Sequence, residues 1–433
     1  MERRRTAEDA IRWEIEQSGP ITFRRFMELA LYGGPTGYYS SGTERVGRSG
    51  DFLTSPEVHP AFGSLLARQL EQLWRAMGRP DPFPVVEMGA GRGSLALDIL
   101  SYCAQWSPPL HNALAYTILE PNPTLADRQR ELLASSSEAA AKVRWRITDS
   151  LDLPERSLEG CVVTNELLDA FPVHRVRNQS GALQELYVGV EGHRLVDVPG
   201  KPSDPALEEY FDRLGLLPPA GCKAEVNLDA LQWMRRVASV LDRGAAITID
   251  YGYPATDLYS RRHCDGTLLC FYRHTLNADP YARIGEQDIT THLDFTSLMA
   301  EAERLGLQQA GLTTQREFLR ALGIDGYRRR LSALGLRRRD LDANGLAMDA
   351  LVAPQGLGRI GVMIQVKGVD EFFPAGLRPD GFRPAELGRD FTLETPPLLR
   401  SQQLRLNASP TAELSQAETE DLWRDLMAED DML

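Results

Sequence analysis

Phe83-Pro84-Val85-Val86-Glu87-Met88-Gly89-Ala90-Gly91-Arg92-Gly93 is a short apolar run that ends on an acid and passes into three alternating glycines. The apolar part reads as a buried strand, and residues 94–103 behind it read as a helix. Between them the backbone must turn tightly and let another group come close, which glycine permits because it has no Cβ. The spacing is GxGxG, not the GxGxxG of dinucleotide enzymes, which seat a pyrophosphate on the helix N-terminus. A ligand without phosphate needs close approach more than anion binding, and Glu87 beside the glycines suits a cationic sulfonium amino acid. A Gly-rich turn also occurs with no ligand at all, so this reading depends on the strands that follow.

Those strands alternate with helices. Residues 115–120, 143–147, 162–164 and 245–250 are apolar runs of strand length, and residues 124–134 carry a helical pattern. Such alternation predicts an α/β fold with a mostly parallel sheet and helices on both faces. Open sheets of this kind bind ligands at the C-terminal ends of their strands. The polar residues at those ends are therefore the candidates. Glu120 could hold both ribose hydroxyls, although it lies further on than the usual ~20 residues. Asp149 and Ser150 could read an adenine amino group, or simply start a turn. Asn165, Glu166 and Asp169 follow the fourth strand.

Before this core, Thr6 with Asp9 three residues later marks a helix start, and Ser18-Gly19-Pro20 a stop. Residues 22–31 read as a second helix, and residues 32–39 are too rich in Gly and Pro to continue it. Residues 61–77 place Phe62, Leu65, Leu66, Leu70 and Leu73 on one helical face. The rhythm breaks at residues 171–226, where 173–176 and 183–190 look like a paired ribbon. Residues 286–366 return to helices and end in a strand at 360–366. The organisation expected is an N-terminal cofactor-covering segment (1–80), a core in two parts (81–170 and 227–370), an inserted lid subdomain (171–226) and an acidic, loosely attached tail (371–433).

The chain has 433 residues, with 42% hydrophobic and 25% charged, an ordinary globular balance. Its net charge of −13 repels phosphates and disfavours nonspecific nucleic-acid binding. Positive charge is almost all arginine, which reads as GC-rich coding and a bacterial origin. Five cysteines without CxxC spacing read as free thiols in a reducing cytoplasm, with no metal site. No apolar stretch reaches membrane-spanning length, and Arg3, Arg4 and Arg5 are followed by acids instead of a signal-peptide core.

Five motifs occur in order: Gly50-Asp51-Phe52-x-Thr54-Ser55-Pro56-Glu57, Glu87-x-Gly89-x-Gly91-Arg92-Gly93, Asn165-Glu166-x-x-Asp169-Ala170-Phe171-Pro172-Val173, Asp250-Tyr251-Gly252 and Asp288-Ile289-Thr290-x-x-x-Asp294-Phe295. As an ordered set over roughly residues 20 to 366 they resemble the MidA-like family of methyltransferases. The resemblance implies a seven-strand, Rossmann-like class I core and S-adenosylmethionine as cofactor, with S-adenosylhomocysteine as product. In the best understood member, a mitochondrial complex I assembly factor, it implies a protein arginine as acceptor. Partners would be a protein substrate, a complex I subunit or its bacterial counterpart, and a second copy of the chain. Ala90 stands where the family often has proline, and the tail lies outside the resemblance.

A guanidinium has a pKa above ~12 and arrives charged, so it needs carboxylates to orient it and to take a proton as the new bond forms. Glu166 is the first candidate for orientation and Asp169 the second. Alternatively, Asn165 and Glu166 hold the methionine end of the cofactor and Asp169 caps a helix. Thr54 and Ser55 belong to a loop that could cover the cofactor, and Glu57 could be a further acceptor carboxylate. His292 and Asp294 form a polar pair near the acceptor, unless Asp294 is an N-cap. Asp250-Tyr251-Gly252 lines the acceptor site or closes the sheet edge. Two other readings stay open: a small-molecule methyltransferase on the same fold, with a deep apolar pocket, and a largely non-catalytic assembly factor.

Overall fold

The structure is a computed structural model that describes residues 6–41, 53–273, 275–382 and 386–400. Arg3 to Arg5, the Gly50-Asp51-Phe52 part of the first motif and the acidic run after residue 410 lie outside these residues. Seven strands form one sheet: β1 (Phe83–Met88), β2 (Leu114–Leu119), β3 (Val143–Arg146), β4 (Leu158–Asn165), β5 (Leu241–Asp250), β6 (Gln308–Thr314) and β7 (Gly361–Lys367). Their order is β3-β2-β1-β4-β5-β7-β6. The first five are parallel, and β7 runs antiparallel to both its neighbours. The strand order reverses beside β1, which opens a crevice at the C-terminal ends of β1 and β4.

Helices cover both faces, which is why the strands are apolar in nearly continuous runs. In β1 the alternation of side chains sends Val85 and Glu87 to one face and Val86 and Met88 to the other. The Val85 face packs with Tyr116, Val163 and Ile247 against α3 (Ala61–Ala76) and α4 (Ser94–Trp106). The Val86 face packs with Val162, Ala246 and Met363 against α6 (Leu228–Val240) and α7 (Phe295–Arg304).

The N-terminal segment begins with α1 (Ala7–Ser18), where Thr6 and Asp9 form a reciprocal capping box, and continues in α2 (Phe23–Tyr32). The paired ribbon expected after the core strands is present as His174–Gln179 against Ala182–Glu191. It is not a separate unit. Ile21 and Thr22 pair with Val188 and Tyr187, so the N-terminal segment supplies a strand to the same antiparallel sheet. Phe23, Phe26 and Met27 share one core with Val173 and Val188.

Two sequence expectations are corrected. Cys222 and Cys264 are bonded to each other across 42 residues, leaving Cys103, Cys161 and Cys270 as buried free thiols. The argument for a reducing cytoplasm from five free thiols therefore lapses, because sequence spacing cannot show that a strand and a distant loop bring two sulfurs together. Among the described residues, no helix is long and apolar enough to cross a membrane.

The second correction concerns residues 371–400, expected in the loose tail. They lie along α3 and bury its polar face. Arg68 and Glu394, both almost fully buried, pair at 2.7 Å, and Tyr102 donates its hydroxyl to the same carboxylate. Gln72 and Gln69 accept from the amides of Ala375 and Gly376. Helical periodicity marked only the apolar face of α3, whereas the opposite face is covered by chain more than 300 residues away. Removing one partner of a buried ion pair leaves an uncompensated charge. Glu394→Ala should lower the unfolding free energy by about 3–5 kcal/mol, read by urea denaturation.

Candidate active site

At the end of β1 the chain turns through Gly89, Gly91 and Gly93, all at positive φ (73°, 53° and 88°). A Cβ at Gly89 would press on Leu167 at 2.8 Å and one at Gly93 on Leu133 at 2.9 Å. At Gly91 a Cβ would meet nothing within 4 Å, so the turn leaves open space there. Glu87 does not face that space. Its strand parity turns it into the sheet face beneath, where it accepts from Tyr116 Oη at 2.8 Å and burial raises it to about 7. Glu87, expected beside a sulfonium, is thus an interior carboxylate bonded to the neighbouring strand.

The next strand ends complete one edge. Glu120 is buried, with Oε1 accepting from Asn122 N at 2.9 Å and Oε2 from Gln129 Nε2 at 3.0 Å. Burial raises its pKa, and these hydrogen bonds oppose the rise. Asp149 and Ser150 are exposed beyond β3, in a local turn built on Thr148. Asn165 donates from Nδ2 to Glu166 at 3.1 Å, while its Oδ1 is buried without a hydrogen-bond partner. An orphaned buried acceptor and an open glycine turn on one strand edge fit a ligand that brings a hydrogen-bond donor and needs close backbone approach.

The carboxylates gather beside this edge. Glu166 stands at φ +51°, a left-handed conformation that costs a non-glycine residue of order 1–3 kcal/mol and persists only when its surroundings over-determine it. They do so here. Glu166 N donates to Ile249 O at 2.8 Å, and its Oε1 accepts from Ser55 N at 3.2 Å. Asp250, wholly buried at the end of β5, accepts from Leu167 N, Leu168 N and Tyr251 N at 3.2, 2.8 and 2.8 Å. Asp169 follows in the next turn, its carbonyl accepting from Thr291 N. Burial raises Glu166 to about 8. Burial, then the charges of Asp250, Glu166 and Asp288, push Asp169 well above the usual carboxylate range.

The segment after α2 bridges the two groups. Tyr39 O accepts from Asn122 Nδ2 at 3.1 Å, and Tyr39 Oη donates to Asp288 at 2.9 Å. Tyr32 stacks on Tyr39 and donates to Ala170 O at 3.0 Å.

Other candidates sit elsewhere. Thr54 precedes a short helix, Ser55–Val58, and its carbonyl accepts from Glu57 N; the Ser55 hydroxyl donates to Gln315 at 2.8 Å. Glu57 pairs with Arg92 of the glycine turn at 3.8 Å, so the structure groups it with that turn instead of with Glu166 and Asp169. His292 lies one ring away from the carboxylates, packed on Tyr251 and Tyr253 at 6.0 and 5.2 Å. Asp294 caps α7 through Thr296 N and Ser297 N. Sequence reasoning missed Gln129, Tyr32 and Tyr39, and left the closing motif's Asp288 without a role. Only Asp288 carried a signal, as part of that motif.

Residues 65–313 match the model of a family described as "Putative S-adenosyl-L-methionine-dependent methyltransferase". The chain is 30% identical over 341 residues to the mitochondrial protein arginine methyltransferase NDUFAF7 of Mus musculus, covering 72% of this chain and 73% of that one. It is 30% identical to the Drosophila melanogaster homologue, over 68% and 70% of the two chains. A crystal structure from Burkholderia thailandensis with S-adenosyl-homocysteine bound is 33% identical, with a TM-score of 0.76 over 86% of this chain and 94% of that one.

The raised carboxylates set the sign of a pH effect. Glu166 rises from 4.5 to about 8, so the folded protein keeps a proton that the unfolded chain releases above its ordinary value. Its contribution therefore weakens the fold as pH rises from about 4.5 towards 8. Thermal unfolding followed across this range should show Glu166→Gln flattening the decline of Tm. An unchanged slope would mean that Glu166 ionises normally.

Proposed function

The chain belongs to this family of S-adenosyl-L-methionine-dependent methyltransferases, and we propose that its acceptor is the guanidinium of a protein arginine. The enzyme uses S-adenosylmethionine, which when bound supplies a methyl group made electrophilic by a sulfonium sulfur. The observation that carries the acceptor is the set of buried carboxylates Glu166, Asp169 and Asp250, clustered beside the open glycine turn, all raised by burial, with Glu166 raised further by Asp250 and Asp169 by both. A cation entering this set would offset the desolvation and repulsion that hold it protonated. The protein arginine methyltransferases similar to this chain support the same acceptor.

In this reading Gly89, Gly91 and Gly93 give the cofactor close approach, Asn165 Oδ1 receives its ammonium, Glu120 its ribose hydroxyls, and Asp149 with Ser150 its adenine. Thr54 and Ser55 close the site from the N-terminal side. Glu166 orients the guanidinium. As the nitrogen gains the methyl group it gives up one N–H proton, and Asp169 takes it while Glu166 stays ionised beside the cation. His292, whose ring packs on Tyr251 and Tyr253, is given no part in the transfer. A respiratory complex I subunit as acceptor, a second copy of the chain as partner and a cytoplasmic location belong to the same proposal. The small-molecule alternative called for a deep apolar lining, and the groups gathered here are carboxylates and tyrosines.

Transfer of labelled methyl to arginine-containing proteins, with mass-spectrometric mapping, tests the acceptor. Glu166→Gln should lower kcat by about 10²–10⁴ while calorimetry finds S-adenosylhomocysteine bound as in the wild type. If that binding is lost instead, Glu166 holds the methionine end. Gly91→Arg should abolish cofactor binding altogether. For the wild type, kcat/KM should climb with pH from neutrality through about 8 and beyond, because Glu166 must be ionised to receive the cation and Asp169, also raised, must be ionised to take the proton. Methylation of small amines without any protein arginine would overturn the proposal.

A further inference from the structure

Gln129 sits in the middle of helix α5 (Pro123–Leu133) and is wholly buried. No motif marks it, and its helix otherwise carries an ordinary amphipathic pattern. Yet its amide group joins three strand ends. Nε2 donates to Gly91 O at 2.9 Å and to Glu120 Oε2 at 3.0 Å, using both N–H groups. Oε1 accepts from Trp145 Nε1 at 3.0 Å, which fixes which way the amide faces. The indole is a donor only, so a flipped amide would set an N–H against an N–H there and its own oxygen against two acceptors. Beside it, the Cβ that Gly93 lacks would come within 2.9 Å of Leu133 and 3.5 Å of Gln129 on the same helix, so the helix is seated directly on the glycine turn.

The consequence falls on Glu120. Each of its oxygens already has one fixed donor, Asn122 N on Oε1 and Gln129 Nε2 on Oε2. Those two bonds set the plane of the carboxylate. A carboxylate holds two neighbouring hydroxyls more tightly when its plane is set before they arrive, since a freely rotating one loses that freedom on binding. The same amide holds the carbonyl of Gly91, the glycine over which the space is open. One side chain thus ties the two features that the cofactor reading requires.

We propose that Gln129 is a positioning residue that sets cofactor affinity through Glu120 and Gly91, without itself touching the cofactor. The inference rests on the reading of Glu120 as the ribose carboxylate. Gln129→Leu keeps the bulk and removes all three hydrogen bonds. Gln129→Glu keeps the shape but aims a third acceptor at Glu120 and the Gly91 carbonyl.

The test is calorimetric titration with S-adenosylhomocysteine, beside steady-state kinetics and thermal unfolding. In both variants the dissociation constant should rise about 10- to 100-fold, the scale of one hydrogen bond to a charged group. KM for S-adenosylmethionine should rise with it, while kcat at saturation and KM for the acceptor stay within about twofold. In a Glu120→Ala background, Gln129→Leu should cost clearly less than it does in the wild type, the remainder being the lost bond to the Gly91 carbonyl, because residues acting through one another are not additive. Full additivity with Glu120→Ala, or unchanged affinity with only a lowered Tm, would overturn the proposal and leave Gln129 a packing residue. If Gln129→Leu does not fold, Gln129→Glu alone decides by the same affinity and kcat criteria. Failure of the underlying reading is distinguishable, because then Glu120→Ala by itself would leave binding of S-adenosylhomocysteine unchanged.

Discussion

Asp250 holds three backbone amides with one buried carboxylate, and the geometry of the site depends on that arrangement. The amides belong to the turn that follows β4 and to the residue after Asp250 itself. Without an acceptor there, the turn would bury unsatisfied donors, each costing about 1–3 kcal/mol. With it, Glu166 is held in a left-handed conformation that a non-glycine residue avoids when free. The strain and the burial serve one result, a carboxylate presented at the strand edge beside the glycine turn. Ser55 and Ile249 complete the restraint from two other parts of the chain.

Around this point the protein accepts an electrostatic cost. Burial raises Glu166, Asp169 and Asp250, and the charge of Asp250 raises Glu166 and Asp169 further. Such a cluster is poorly matched to an empty site and well matched to a cation. The buried pair of Arg68 and Glu394 makes a useful contrast. There the opposite charge is supplied by the chain itself, and the result is attachment of residues 371–400 to α3. At the strand edge the proposed counter-charge is the guanidinium of the acceptor.

The N-terminal segment joins these parts. It gives a strand to the antiparallel sheet, and its tyrosines reach from Asn122, next to Glu120, to Asp288, whose charge is felt by Asp169. The two halves of the site are therefore linked through this segment by hydrogen bonds, a ring contact and the charge of Asp288. The bond between Cys222 and Cys264 steadies the other margin, near Thr267, whose hydroxyl receives the amide of His292.

Six of the seven core strands, the helices after the first two of them, the capping box at Thr6 and the glycine turn were legible in the residue pattern, whereas β6 fell within a stretch read as helices. Each depends on interactions within a few positions along the chain: alternation, helical periodicity, a cap, a positive φ that favours glycine. The order of polar strand ends was legible too, because a parallel sheet places them on one edge whatever packs around it. What the tertiary structure alone decided is the partner of each side chain. Glu87 faces Tyr116 because of its strand parity, and Glu57 faces Arg92. Gln129 became a junction because α5 rests on the glycine turn, and residues 371–400 became part of the core because α3 has a polar face to cover. Cys222 met Cys264. These pairings join residues from 9 to more than 300 positions apart, and local pattern does not say which of them meet, since any buried polar group must find a partner but its sequence does not say which.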